Sequence, residues 1–319
     1  MLATLASADA VTWLSITVKT LAYAATLSAV GSVLVLVILR GVDERGRASL
    51  RLTAALSALA AGLFTALRLP VQASFLMGGT WDGATDPMIL GMVAQSPLGT
   101  SAMLRLTGLA LILCVLWRVS AGPILALFGV LLASASFALR GHALNEPQMI
   151  LGALITLHIL CLAFWVGAFA PLARSARFDA PARAGALAYE FGARALWAVG
   201  LVVLAGGGAL TLLGAGTSAA LFTPYGQMFA VKLALFAGVL SLAAVNKLTL
   251  TPALLASAPG AGTRLRRSIA MEAGLVVGIL VTTAALTTVS SPPEGTENEQ
   301  ASTNSPTRGQ PHQTFGDAV

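Results

Sequence analysis

The sequence predicts an all-α integral membrane protein, a bundle of about eight transmembrane helices with both termini on the extracytoplasmic side. Three observations carry this. The 319-residue chain is 56% hydrophobic and 10% charged, with a mean hydropathy of +0.83, whereas soluble domains carry roughly 25% charged residues. Apolar runs close to 20 residues recur along nearly the whole length, about what a helix needs to cross a hydrocarbon core of roughly 30 Å. The basic residues gather on alternate loops.

Only helices and closed barrels satisfy their backbone in lipid, and these runs lack the two-residue alternation of a barrel strand. The predicted spans are 12–39, 49–70, 100–117, 121–140, 149–172, 192–213, 227–250 and 268–290. The first has no basic segment before it, so no cleaved signal peptide is expected. The third is short and contains Arg105.

Orientation follows from Lys and Arg. Arg40, Arg45, Arg47 and Arg51 follow span one, and Arg118 follows span three. Arg174, Arg177, Arg183 and Arg194 follow span five; Lys247, Arg264, Arg266 and Arg267 follow span seven. Most of the 19 basic residues therefore lie on one side, which the positive-inside rule assigns to the cytoplasm. Asp82, Asp86 and Glu146 fall on the opposite side, with Glu294, Glu297 and Glu299 in the tail. The pI near 10 is accounted for by topology, and the partner it implies is the bilayer, not nucleic acid.

Residues 1–290 form one membrane domain. Residues 291–319, rich in Ser, Thr, Pro, Gly and Glu, are expected to be a disordered extracytoplasmic tail, with His312 incidental to it. The segment 71–99 is too polar to span and is expected to cap the outer face. No internal repeat argues for an inverted-repeat transporter.

Two histidines fall in the membrane domain. His142 ends span four, and His158 lies about 13 Å into span five at 1.5 Å per residue. Ionisable residues within a membrane are functional hypotheses by default, and imidazole ligates both copper and haem; hydrogen bonding to a neighbouring helix is the structural alternative. Met77, Met88, Met92, Met103, Met149 and Met228 lie toward the outer side. Thioether sulfur suits Cu(I), although methionine also fills gaps in apolar packing. Of these, Met88, Met92 and Met149 are the candidate ligands beside His142. Cys161 shares a helix face with His158 and Trp165 and is a further candidate, against the reading of an inert buried thiol. Cys114 and Cys161 both fall inside spans, so no structural disulfide is implied. No CxxC, HExxH, P-loop or dinucleotide fingerprint occurs, and a transporter is expected in preference to an enzyme.

Lys19, Arg68, Arg105, Arg140 and Lys232 lie at shallow depth on the outer side. Snorkelling to headgroups accounts for Arg68 and Arg140. Lys19 and Lys232 sit deeper and should face the bundle with a partner. Such a ring of positive charge suits haem propionates or a metal delivered by a docked protein.

Several ordered motifs carry a resemblance. Glu190-Phe191-Gly192-Ala193-Arg194, Thr223-Pro224-Tyr225-Gly226, Lys232, Asn246-Lys247, Thr251-Pro252-Ala253-Leu254, Arg266-Arg267 and Glu272 resemble the membrane domain of the CopD copper-resistance family. Gly141-His142-Ala143 and His158 through Trp165-Val166-Gly167 to Pro171-Leu172 are similar to its longer form. The resemblance covers most of 100–290 and is strongest over 190–290. It implies an eight-helix protein of the bacterial inner membrane linked to copper resistance or uptake, and the function expected here is movement of copper from the periplasmic side toward the cytoplasm. It also implies a separate small periplasmic copper-binding partner. It carries over His142, His158, Lys232, Asn246 and Glu272 as positions of interest. Lys247 stands where the family usually has Arg, and Gly206-Gly207-Gly208 where Thr-Gly is commoner. The alternative function is a haem-binding redox or assembly protein with His142 or His158 as axial ligand and Lys19, Arg105 and Lys232 near the propionates.

Overall fold

The computed structural model describes residues 9–117, 119–139, 147–212 and 224–289. Eight helical segments in them are long and apolar enough to cross a membrane. Asp9 starts α1 (Ala10–Ile38) by accepting the Thr12 N–H at 2.8 Å, and Asp43 starts α2 (Glu44–Leu76) by accepting from Gly46. Asp86 and Ser96 cap α3 (Pro87–Gln95) and α4 (Pro97–Ile112), each with proline at the first helical position. A 3₁₀ turn extends α4 to Leu116, and another extends α5 (Ala121–Ala135) to Leu139. The remaining elements are α6 (Gln148–Phe178), α7 (Pro181–Leu212), α8 (Pro224–Val245), α9 (Thr251–Leu255) and α10 (Ala261–Val289). A π-helical turn, Asn246–Leu250, joins α8 to α9.

The helices overrun the predicted spans, most clearly where α2 begins at Glu44, α7 at Pro181 and α10 at Ala261. Apolarity marks the lipid-crossing stretch only; caps and intrahelical hydrogen bonds carry the helix into the interface. The 71–99 segment caps one end as expected. There α3 packs Ile89, Leu90 and Val93 against Leu69 and Ala73 of α2 and Leu98 of α4.

Close approach of small residues organises the bundle, as is usual where lipid removes the hydrophobic driving force between helices. A Cβ on Gly31 of α1 would collide with the Ala163 carbonyl of α6, and one on Gly167 would collide with Gly31. Around this crossing α1 packs against α2 and α6, α6 against α7, and α10 against both α1 and α8. At the basic end the α1–α2 loop is tied down. Glu190 of α7 accepts the Arg40 and Gly41 amides at 2.8 Å and pairs with Arg194, while Arg174 of α6 pairs with Asp43 at 3.2 Å.

Candidate functional site

Polar side chains in the membrane domain fall into three groups. The first lies toward the end where α1 starts and α2 stops. Lys19 is buried and donates to the Thr287 carbonyl at 3.1 Å and to Thr288 Oγ1 at 2.7 Å on α10, so the expected partner exists. Arg105, only 1% exposed, donates from Nε to Ser136 Oγ at 2.9 Å and stacks over Phe137 at 4.0 Å. Phe137 packs on Tyr23, whose ring lies under the Arg68 guanidinium at 5.6 Å. Arg68 is thus buried, with the Tyr23 ring beneath it. The snorkelling expected for it is corrected: Tyr23 on α1 offers a π face that satisfies the cation inside the bundle. Arg140 lies outside the described residues.

The second group centres on His158. Its ring is half-buried on α6, with Nδ1 3.4 Å from the Val202 carbonyl of α7. Gly206, one turn further along α7, lets the backbone pass beside the imidazole; a Cβ there would meet Cε1 and Nδ1 at 3.6 Å. At Gly207 nothing, the imidazole included, lies within 4 Å of where a Cβ would stand. The Lys232 ammonium of α8 is within electrostatic range of this ring. His158, Cys161 and Trp165 follow one another down one face of α6, with Trp165 about 10 Å below His158. Cys161 itself is packed in the apolar core.

The third group lies deeper, toward the basic end. Glu272 of α10 is 3% exposed. It accepts from Trp165 Nε1 at 3.1 Å and from the Asn246 side-chain amide. Asn246 opens the π turn, and π-helical turns are frequent at functional sites. A cavity of about 470 Å³ adjoins the carboxylate, with Trp165, Phe191, Asn246, Lys247, Ile269 and Glu272 in its walls. It fills the space between α7 on one side and α8 with the π turn on the other, with α6 and α10 behind. Lys247 donates to the Gly192 carbonyl at 3.4 Å across this gap. Asn246 Oδ1 and the Ser268 hydroxyl are buried without a hydrogen-bond partner among the described residues. Ser268 lies one turn before Glu272 on α10.

The methionines stand apart from these groups. Met88 and Met92 lie one turn apart on α3 and point outward, and Met149 at the head of α6 is 90% exposed. His142 lies outside the described residues. Among the described residues no group of three or more His, Cys, Asp or Glu side chains is arranged to hold a metal ion. The Trp165–Glu272–Asn246 contacts and the role of Ser268 were not read from the sequence. The signal available was a Ser and a Glu four residues apart on one apolar helix, enough to predict a shared polar face.

Comparison with known proteins gives two family matches. Residues 7–153 match the N-terminal domain of copper resistance protein D-like proteins, and residues 185–286 match copper resistance protein D. The chain is also 29% identical over 265 residues to copper transport protein CutJ of Bacillus subtilis (strain 168). That alignment covers 76% of this chain and 46% of the relative, so the chain spans just under half the length of CutJ. No solved structure matches it.

Proposed function

We propose that this chain, which belongs to the copper resistance protein D family, carries copper from the extracytoplasmic face of a bacterial inner membrane toward the cytoplasm. The observation that supports this best is the polar line along α6. His158 sits half-buried against α7 with the Gly206 backbone beside its ring, and the Trp165–Glu272–Asn246 group follows about two turns deeper. A transported cation needs ligands that bind and release, and a single half-buried imidazole meets that need better than a closed cage. The copper is cargo. It would arrive at the face carrying Met88, Met92 and Met149, from a separate small copper-binding protein. His142 and then His158 would receive it, with Cys161 as a soft group on the same face. The basic loops at the opposite end support the orientation.

Copper accumulation in cells expressing single and double alanine variants of His142 and His158 tests the reading. Each single replacement should lower accumulation severalfold, and the double should be little worse than either single. Wild-type accumulation in both singles, or a stoichiometric Soret band in purified protein that vanishes with His158→Ala, would overturn it.

A further inference from the structure

We propose that Glu272 is a proton-binding site whose proton exchanges for the charge of the transported copper. This deepens the preceding reading by assigning the coupling ion. Four observations converge. A carboxyl group 3% exposed lies well inside a membrane-spanning helix. Its described hydrogen-bond partners are the neutral Trp165 indole and Asn246 amide, and no ion pair to it exists among the described residues. A cavity of about 470 Å³ reaches it. Two buried oxygens beside that cavity or on the same helix face, Asn246 Oδ1 and Ser268 Oγ, have no hydrogen-bond partner among the described residues, and buried unsatisfied groups in native structures call for an explanation such as water or an ion.

The surroundings say which ion. The donors gathered here are a carboxylate, an amide oxygen and a hydroxyl, with neither imidazole nor sulfur among them. That set does not suit a soft copper ion. A proton needs only the carboxylate, and Asn246, bonded to it in the cavity wall, offers an amide oxygen to a relaying water.

Charged groups on the packed elements are consistent with this. Lys247 on the π turn lines the same cavity but is engaged with the Gly192 carbonyl. On α7 the Glu190–Arg194 pair is turned to the Arg40 and Gly41 amides. On α1 the buried Lys19 is bonded at the far end of α10, and on α6 the nearest titratable groups are Cys161 and His158, farther toward that end. Arg264, Arg266 and Arg267 belong to the first turns of α10 itself.

The exchange follows from charge balance. Burying a second net charge in a low-dielectric interior is costly. Copper entering near His158 would therefore favour release of the Glu272 proton, leaving a carboxylate to offset the metal's charge. When copper leaves, the carboxylate takes a proton back. For each monovalent copper one proton is released and one rebound, and no electron moves.

Full-length protein in sealed liposomes tests this with Cu(I) supplied alone and a pH-sensitive dye. The wild type should release protons on copper uptake, and its copper flux should rise severalfold under an imposed pH gradient. Glu272→Gln should lose both responses, and Glu272→Asp should keep part of them. A gradient response retained in Glu272→Gln overturns the inference. If the wild type moves no copper at all, the transport reading fails, and infrared pH-difference spectra of the same liposomes decide the proton site. A carboxyl C=O band present in wild type and absent in Glu272→Gln supports it; identical spectra overturn it.

Discussion

The two ends of the membrane domain handle buried charge in opposite ways. Near the end where α1 starts, Lys19, Arg68 and Arg105 are each buried and each closed off by hydroxyls, a carbonyl or an aromatic face. Deeper toward the basic end, Glu272 is buried against two neutral donors with a cavity beside it. Buried oxygens without a partner among the described residues occur at both ends, Asn246 and Ser268 here and Thr65 and Ser134 near Arg68 and Ser136. A charge whose surroundings are filled and satisfied holds helices together. A charge left beside a cavity can change its protonation or its partner.

The strongest test of this contrast is Arg105→Ala. It empties a packed site, leaves Ser136 Oγ without its donor and removes the stacking on Phe137. The combined loss of cation–π contact and packing should be about 2–4 kcal/mol, read as a fall in denaturation midpoint in detergent. Arg105→Lys should recover part of it, because the charge remains and the planar fork does not. An unchanged midpoint in Arg105→Ala would break the assignment of this end as structural.

Glu272→Gln should do the reverse. The amide keeps an acceptor for Trp165 and removes a buried carboxylate, so stability should stay within about 1 kcal/mol of wild type or rise slightly. Its response to pH gradients should be lost. A large destabilisation would mean that Glu272 belongs with the arginines, as a packing residue.

How far this contrast could be read beforehand depended on the distance over which each contact acts. The eight spans were legible because crossing a bilayer imposes a length of apolar helix that a local window reveals. The burial of Lys19 was legible because it lies more than a turn inside α1, too deep to leave unpartnered. Arg68 was misread because depth alone resembles snorkelling; only the packing of α1 against α2 brings Tyr23 beneath it. Asn246 and Glu272 were singled out through the resemblance, but their meeting with Trp165 was the least legible feature. Trp165 and Glu272 are 107 residues apart, and nothing in Asn246-Lys247-Leu248-Thr249-Leu250 announces a π turn. His142, which the sequence reading placed first among the ligands, lies outside the described residues.

The smallest expected effect sets an exposed carboxylate beside the buried one. Asp9 caps α1 from the aqueous side, and the hydrogen bonds from the Thr12 hydroxyl and then the Thr12 amide hold its carboxyl below the ordinary value of 3.8. A carboxyl whose pKa is lower folded than unfolded stabilises the fold above its unfolded pKa, and that contribution disappears as pH falls through the folded one. The cap should therefore be intact at neutral pH and weaken below about pH 4. The readout is amide hydrogen exchange at Thr12 and Trp13, corrected for the intrinsic rate. Protection should decline there between pH 5 and pH 3 in the wild type and stay level in Asp9→Asn, whose amide oxygen caps without titrating. Because Asp9 is solvent-exposed, the change should be confined to the first turn of α1 and leave copper flux untouched. A wild-type profile as flat as that of Asp9→Asn would show that even this carboxylate does not titrate through its cap. Spread of the exchange change into α10 would show that the two ends are coupled and would erase the distinction between them.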